Sequence, residues 1–130
     1  MALPEDIHAL RGRFLDEWSD LTPVAHDAAP ALSEQADPWV RFSIRPDVSE
    51  RRAFGHSYRQ YGHVWLQIFV PRAGGDADAY ELANAFSAIF RDWSNDHIEC
   101  ETPRTTTIGD DGKKWFQVNV SVEWCSTHWL

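Results

Sequence analysis

Between Tyr58 and Pro71 the chain carries apolar residues at both strand parities. Val64, Leu66, Ile68 and Val70 share one parity, and Trp65 and Phe69 stand on the other. Successive side chains of a strand point to opposite faces, so a strand here needs cover on both sides. Pro71 closes it, because proline has no N–H to give to a sheet ladder. A small fold that hides one sheet face beneath helices still has an aromatic surplus here on the other. Such a surplus points to a partner protein rather than to a reaction.

The flanking segments supply the helices and the rest of the sheet. Ile7, Leu10, Phe14, Trp18 and Leu21 recur at spacings of three and four, the mark of an amphipathic helix. Pro4 suits its first position, Glu5 and Asp6 suit the positive end of its dipole, and Pro23 stops it. Thr22 to Asp37 has no periodicity and reads as a loop. Trp39 to Arg45 alternates as a half-buried strand closed by Pro46, and Asp47 to Gly55 reads as a hairpin tip or a longer loop. After Gly74-Gly75, a second helix carries Leu82, Phe86, Ile89 and Trp93 in a stripe ending near Ser94-Asn95, with Asp78 and Asp76 competing as its cap. A third strand runs from Ile98 to Thr106, and Asp111-Gly112 signals a hairpin. In the last strand, Trp115 to Cys125, Phe116, Val118, Val120, Val122 and Trp124 oppose Gln117, Asn119, Ser121 and Glu123. The expected fold is α+β in two layers: a mainly antiparallel four-stranded sheet with two helices on one face, in the order α-β-β-α-β-β. All of residues 1–130 form a single domain by length.

Charge and composition exclude several classes. The formal net charge is −8, from 12 Lys and Arg against 20 Asp and Glu, and no basic run exceeds two residues. Nucleic-acid binding draws most of its affinity from cations that neutralise phosphates, so this chain is poorly equipped to hold DNA or RNA. No apolar stretch nears the roughly 20 residues that span a bilayer, and the start of the chain lacks the pattern of a signal peptide. Seven Trp and seven Phe exceed what a core of this size needs. They either pack inside or mark contact surface, where such residues are enriched.

No reactive constellation stands out. There is no phosphate-cradling glycine loop, no C-x-x-C and no H-E-x-x-H. His97, Glu99 and Glu101 would share one side of a strand, the layout of a metal site or, more simply, of solvated polar side chains. Cys125-Ser126-Thr127-His128 puts a thiol near an imidazole. Cys100 and Cys125 lie on candidate neighbouring strands, where a bridge is conceivable, although two free thiols are the simpler reading. An enzyme or ligand-binding domain would have to gather its polar groups around His63 or His97.

The run Tyr58-Arg59-Gln60-Tyr61-Gly62 with Gln67-Ile68-Phe69-Val70-Pro71, then the glycine turn and Ala79-Tyr80-Glu81-Leu82-Ala83-Asn84-Ala85-Phe86, resembles the tail terminator proteins of long flexible-tailed phages and gene transfer agents. The likeness runs from about Trp39 to Trp124 and is a diffuse pattern without a short motif. A phage neck or tail-completion protein is the nearest alternative. The resemblance implies a structural virion protein, not an enzyme, with no cofactor. It implies a homohexameric ring on the tail tube end, assembled in the bacterial cytoplasm, that stops tube growth and joins tail to head. Its partners would then be its own copies, the tail tube protein and the head–tail connector, and DNA would pass through the lumen without specific binding. No membrane is involved.

Contact residues follow from the chain itself. Trp65 and Phe69 on the second parity, with the uncharged Gln117 and Asn119, are candidate interface. Arg51, Arg52, Phe54 and Arg59 form the one basic and aromatic concentration, suited to an acidic partner or to solvent.

Overall fold

The computed structural model describes residues 3–26, 37–52, 57–74, 76–112 and 114–129. Helix α1 spans Pro4–Trp18, strand β1 Val24–His26, β2 Trp39–Arg52 and β3 Ser57–Pro71. A single 3-10 turn, Arg72–Gly74, leads to α2, Ala77–Phe90, followed by β4 Ile98–Cys100, β5 Arg104–Asp110 and β6 Trp115–Trp129.

The two-layer α+β architecture is present, but the sheet has six strands rather than four. Their order is β1-β2-β3-β6-β4, with β5 also paired to β6. Three local causes explain the difference. Val24–His26, in the stretch expected to be a loop, adds to β2 as a short parallel edge through Val24↔Val40 and His26↔Phe42. The expected third strand is divided, because Pro103 cannot donate to a ladder; β4 pairs with Ile98↔Ser126 and β5 with Arg104↔Ser121. Pro46 does not end β2, because the register shifts between Pro46 and Ser49, and a bulge tolerates a missing donor. Asp47 to Arg52 is therefore strand, and the β2–β3 hairpin is longer than the alternation of Trp39 to Arg45 suggests.

β3 and β6 run antiparallel without interruption from Ser57↔Trp129 to Pro71↔Trp115, so β6 continues past Cys125. Across this pair Gly62 faces Trp124. A Cβ on Gly62 would stand 2.6 Å from the Arg45 carbonyl oxygen and 2.7 Å from the Trp124 ring, so only glycine lets the indole lie on the backbone.

Both helices cover the face bearing Val64, Leu66, Ile68 and Val70. Leu10, Phe14 and Trp18 of α1 and Ala83, Phe86, Ile89 and Phe90 of α2 are buried against them, together with Val118, Val120, Val122 and Trp124. Phe14 stacks on Phe42 at 4.1 Å between ring centroids. Much of the aromatic excess is thus core, which shrinks the surface that the composition suggested.

Each helix stops earlier than its stripe. α1 ends at Trp18, because Ser19 and Asp20 turn to positive φ, and Leu21 is left 55% exposed. α2 begins after Asp76, the competing cap, and ends at Phe90, before Asp92 at φ 57°. Trp93 folds back instead, with the Arg13 guanidinium 5.7 Å from its ring centre. The same arginine donates to the Ile89 carbonyl at 3.0 and 3.1 Å, satisfying a helix-end acceptor from the neighbouring helix.

Candidate functional site

Both helices lie on one side, and among the described residues no helix lies over the other sheet face. It carries the odd-numbered residues of β3, their partners on β2 before the bulge, and their partners on β6. From one end to the other it changes character. Trp39, Phe69, Trp115 and Ala25 of β1 form a second, smaller apolar cluster, in which Trp39 stacks on Phe69 at 4.3 Å. Next come Ser43, Gln67, Asn119 and Ser121 around Trp65, with Arg41 and Arg104 beside them. Beyond them lie charged residues, and finally Tyr61, Arg59 and Thr127.

Trp65 sits between the small side chains of Ser43 and Ser121 in the register, which leaves its indole partly uncovered. It lines an open groove of about 600 Å³ with Arg45, Asp47, His63, Arg104 and Asn119. Phe69 is half-buried on Trp39, so of the two aromatics expected as contacts, one is already partly covered by its own chain. Gln117 and Asn119 lie on this same face, where the Gln117 amide donates to Asn119 Oδ1 at 2.8 Å. Arg59 is further along, donating to Thr127 at 3.3 Å. A hydrogen bond with Tyr61 raises the Arg59 pKa further. Arg51 is exposed on the long hairpin, in register with Tyr58. Phe54 and the Arg52 side chain lie outside the described residues.

Among the exposed apolar residues that spacing does not reveal, two stand at bulges. Val48 is 63% exposed at the β2 bulge, and Ile108 is 54% exposed where the register shifts between Thr107 and Gly109. A bulge shows no periodicity signal, so neither could have been located from spacing.

Among the described residues, the polar clusters named from the sequence find other partners. His63 faces carboxylates from both nitrogens, Asp47 at 2.7 Å and Glu123 at 3.7 Å, rather than a nucleophile. His97 contacts the Thr127 carbonyl at 3.2 Å and stacks on His128 at 4.3 Å. Ser126 and His128 both turn to the buried Asp6, Ser126 donating at 2.7 Å and His128 lying 3.0 Å away. A hydroxyl and an imidazole that share one carboxylate are not bonded to each other as nucleophile and base. Alternation separates Cys125 from His128, since they point to opposite faces of β6.

It separates the two cysteines as well. Cys100 pairs with Trp124 and faces the helices, while Cys125 pairs with Glu99 on the open face, and both thiols are free. Burial pushes the Cys100 thiol from 9 up to about 12 and raises that of Cys125, so neither is a ready thiolate. Among the described residues no group of His, Cys, Asp or Glu is arranged to hold a metal, and no helix is long and apolar enough to cross a membrane.

No curated protein matches the sequence. Among the solved structures that superpose on it, one does so with a TM-score of 0.65 at 17% identity, covering 99% of this chain and 99% of its own, and at that identity it shows the fold alone. A family model described as phage tail terminator protein matches residues 6–124, from the buried Asp6 to the Trp124 that lies on Gly62. With that much of its length matched, the chain belongs to the phage tail terminator family, whose members are structural proteins of the phage tail.

Proposed function

We propose that the chain forms a ring, a homohexamer, on the end of the tail tube, where it stops tube polymerisation and provides the surface to which the head attaches. The observation that carries this reading is a sheet face over which, among the described residues, no helix lies, in a tail terminator. Trp65 stands partly open between two serines, in a groove that it shares with the polar Thr106 and Asn119 and the charged Arg45, Asp47 and Arg104. Large rings set in a polar surround are the make-up of interface centres. Contact with the tube protein is assigned to this face, through Trp65, Phe69, Gln117 and Asn119. The long β2–β3 hairpin, with Arg51, Arg52, Phe54 and Arg59, is assigned to a charged contact with the tube or the head–tail connector. The assembled ring resides at the tail end of a phage or gene transfer particle built in the bacterial cytoplasm.

Trp65→Ala tests the assignment. Its indole is partly exposed, so the variant should keep its thermal midpoint within a few degrees while tail capping drops at least tenfold, the effect of removing one interface anchor of about 2 kcal/mol. Capping is read as tube length and particle titre by electron microscopy. Equal losses of capping and stability would return Trp65 to a packing role. A neck protein, the nearest alternative, would leave tube length unchanged when deleted.

A further inference from the structure

The groove around Trp65 has a chemistry that narrows what the tube can offer it. In the register, Ser43, Trp65, Ser121 and Arg104 form one row across β2, β3, β6 and β5, so only a serine stands between the indole and the guanidinium. With strands about 4.8 Å apart, the Cα atoms of Trp65 and Arg104 are roughly 10 Å from each other, a span that one bound side chain and its neighbour can cover. Arg45, diagonal to Trp65 across the β2–β3 pair, lines the groove from the other side.

Cations prevail at this place in a chain that carries −8 overall. Among the described residues that line the groove, Asp47 is the one carboxylate, and it lies 2.7 Å from His63 Nδ1. Among the described residues Arg104 has neither an ion pair nor a hydrogen bond through its guanidinium. On the hairpin side, Glu101 and Glu123 border Arg104 and His63. They repel a run of negative charge, so the groove suits one isolated carboxylate rather than a polyanion. A guanidinium holds a carboxylate through two parallel charge-assisted hydrogen bonds, and the indole beside it favours an apolar neighbour. Tryptophan and arginine are also the residue types that most often anchor an interface. A second copy docked by the same face would bring these arginines towards their own counterparts about a two-fold axis, which like charge opposes.

We infer that the Trp65 groove receives a carboxylate side chain of the tail tube protein, held by Arg104, with an apolar neighbour of that acidic residue seated on the indole. This inference rests on the assignment of the open face to the tube and adds the chemistry of the tube's side of the contact.

The experiment measures co-sedimentation of the full chain with purified tail tubes between about 50 and 300 mM salt, a range over which surface charge pairs are progressively screened. Wild type should bind, and bind more weakly as salt rises. Arg104 is exposed, so Arg104→Glu should fold as wild type by circular dichroism, and Arg104→Gln serves if charge reversal disturbs the fold. Either variant should lose about tenfold or more in affinity at low salt and show a flatter salt dependence, whereas Arg104→Lys keeps the wild-type slope. Trp65→Ala should lose a similar factor and also keep that slope. Wild-type binding by the Arg104 variants alongside a loss with Trp65→Ala overturns the inference and leaves the tube assignment standing. Undiminished binding by all of them, or wild type that does not bind tubes, overturns the two together. If Arg104→Glu weakens self-association without tubes, the carboxylate belongs to another copy; if a labelled duplex binds wild type but not Arg104→Glu, the anion is a phosphate. Either result also overturns the inference.

Discussion

At the scale of single residues, two side chains illustrate how position along β6 and β4 decides chemistry. Cys100 and Cys125 are nearly opposite in the register, yet the pleat sends one beneath the helices and the other to the open face. The thiol beneath the helices is held near 12, against an ordinary value of 9, by burial. A raised value in the folded state means that the unfolded chain loses this proton first, so the contribution to stability is full below pH 9 and is lost as pH climbs toward 12. Relative to Cys100→Ala, wild type should lose stability by up to about 1.4 kcal/mol per pH unit in that window. Urea unfolding of both proteins between pH 8 and 11 checks this, and a gap that does not change with pH would contradict the assignment. Cysteine identity was legible in the sequence, but the face each occupies was not, because one register shift reverses it.

Among the elements, the instructive contact is α1 on β6. Its stripe of Leu10, Phe14 and Trp18 is plain from spacing alone. Nothing in spacing reveals that Asp6, in the first turn, is 2% exposed and holds Ser126 and His128 from the far end of the chain. By sequence alone Asp6 suits the helix dipole, a role that any exposed carboxylate could fill. Its burial adds a second role, since a buried carboxylate must be hydrogen-bonded to be tolerated. Asp6→Ala leaves a buried hydroxyl and imidazole short of an acceptor and should cost roughly 3 kcal/mol, the upper part of the range for bonds to charged groups. Glu5→Ala, whose carboxylate is mostly exposed 3.6 Å from the same imidazole, should change stability by less than about 0.5 kcal/mol. Chemical denaturation of the two variants separates an anchor from a surface charge. The bulges at Val48 and Ile108 belong to this scale too. Period-2 reasoning ends where a bulge begins, so it ended β2 at Pro46 and missed both exposed aliphatics.

For the molecule as a whole, net charge carries its own prediction. At −8 per chain, an assembled ring of six copies multiplies that charge sixfold around any central passage. Phosphates would meet repulsion there, so the purified protein should show no DNA affinity in the micromolar range at about 0.1 M salt, where ordinary non-specific binders are detected. Fluorescence anisotropy with a labelled duplex measures this, and binding that weakens steeply with salt would reverse the expectation. What the sequence by itself determined was the class and the inside of this protein: two helical stripes, a strand apolar at both parities, and therefore two layers with one crowded face. These follow from side-chain periods of 3.6 and 2, which are properties of neighbours along the chain. Only the tertiary structure decided that six strands form the sheet, that Trp39 and Trp115 share a second cluster, and that Asp6 reaches His128. Those arrangements join residues tens to more than a hundred positions apart, and they depend on which strands pair and in what register. No local period encodes that choice; it is made by the joint burial of both helices on one face of the sheet.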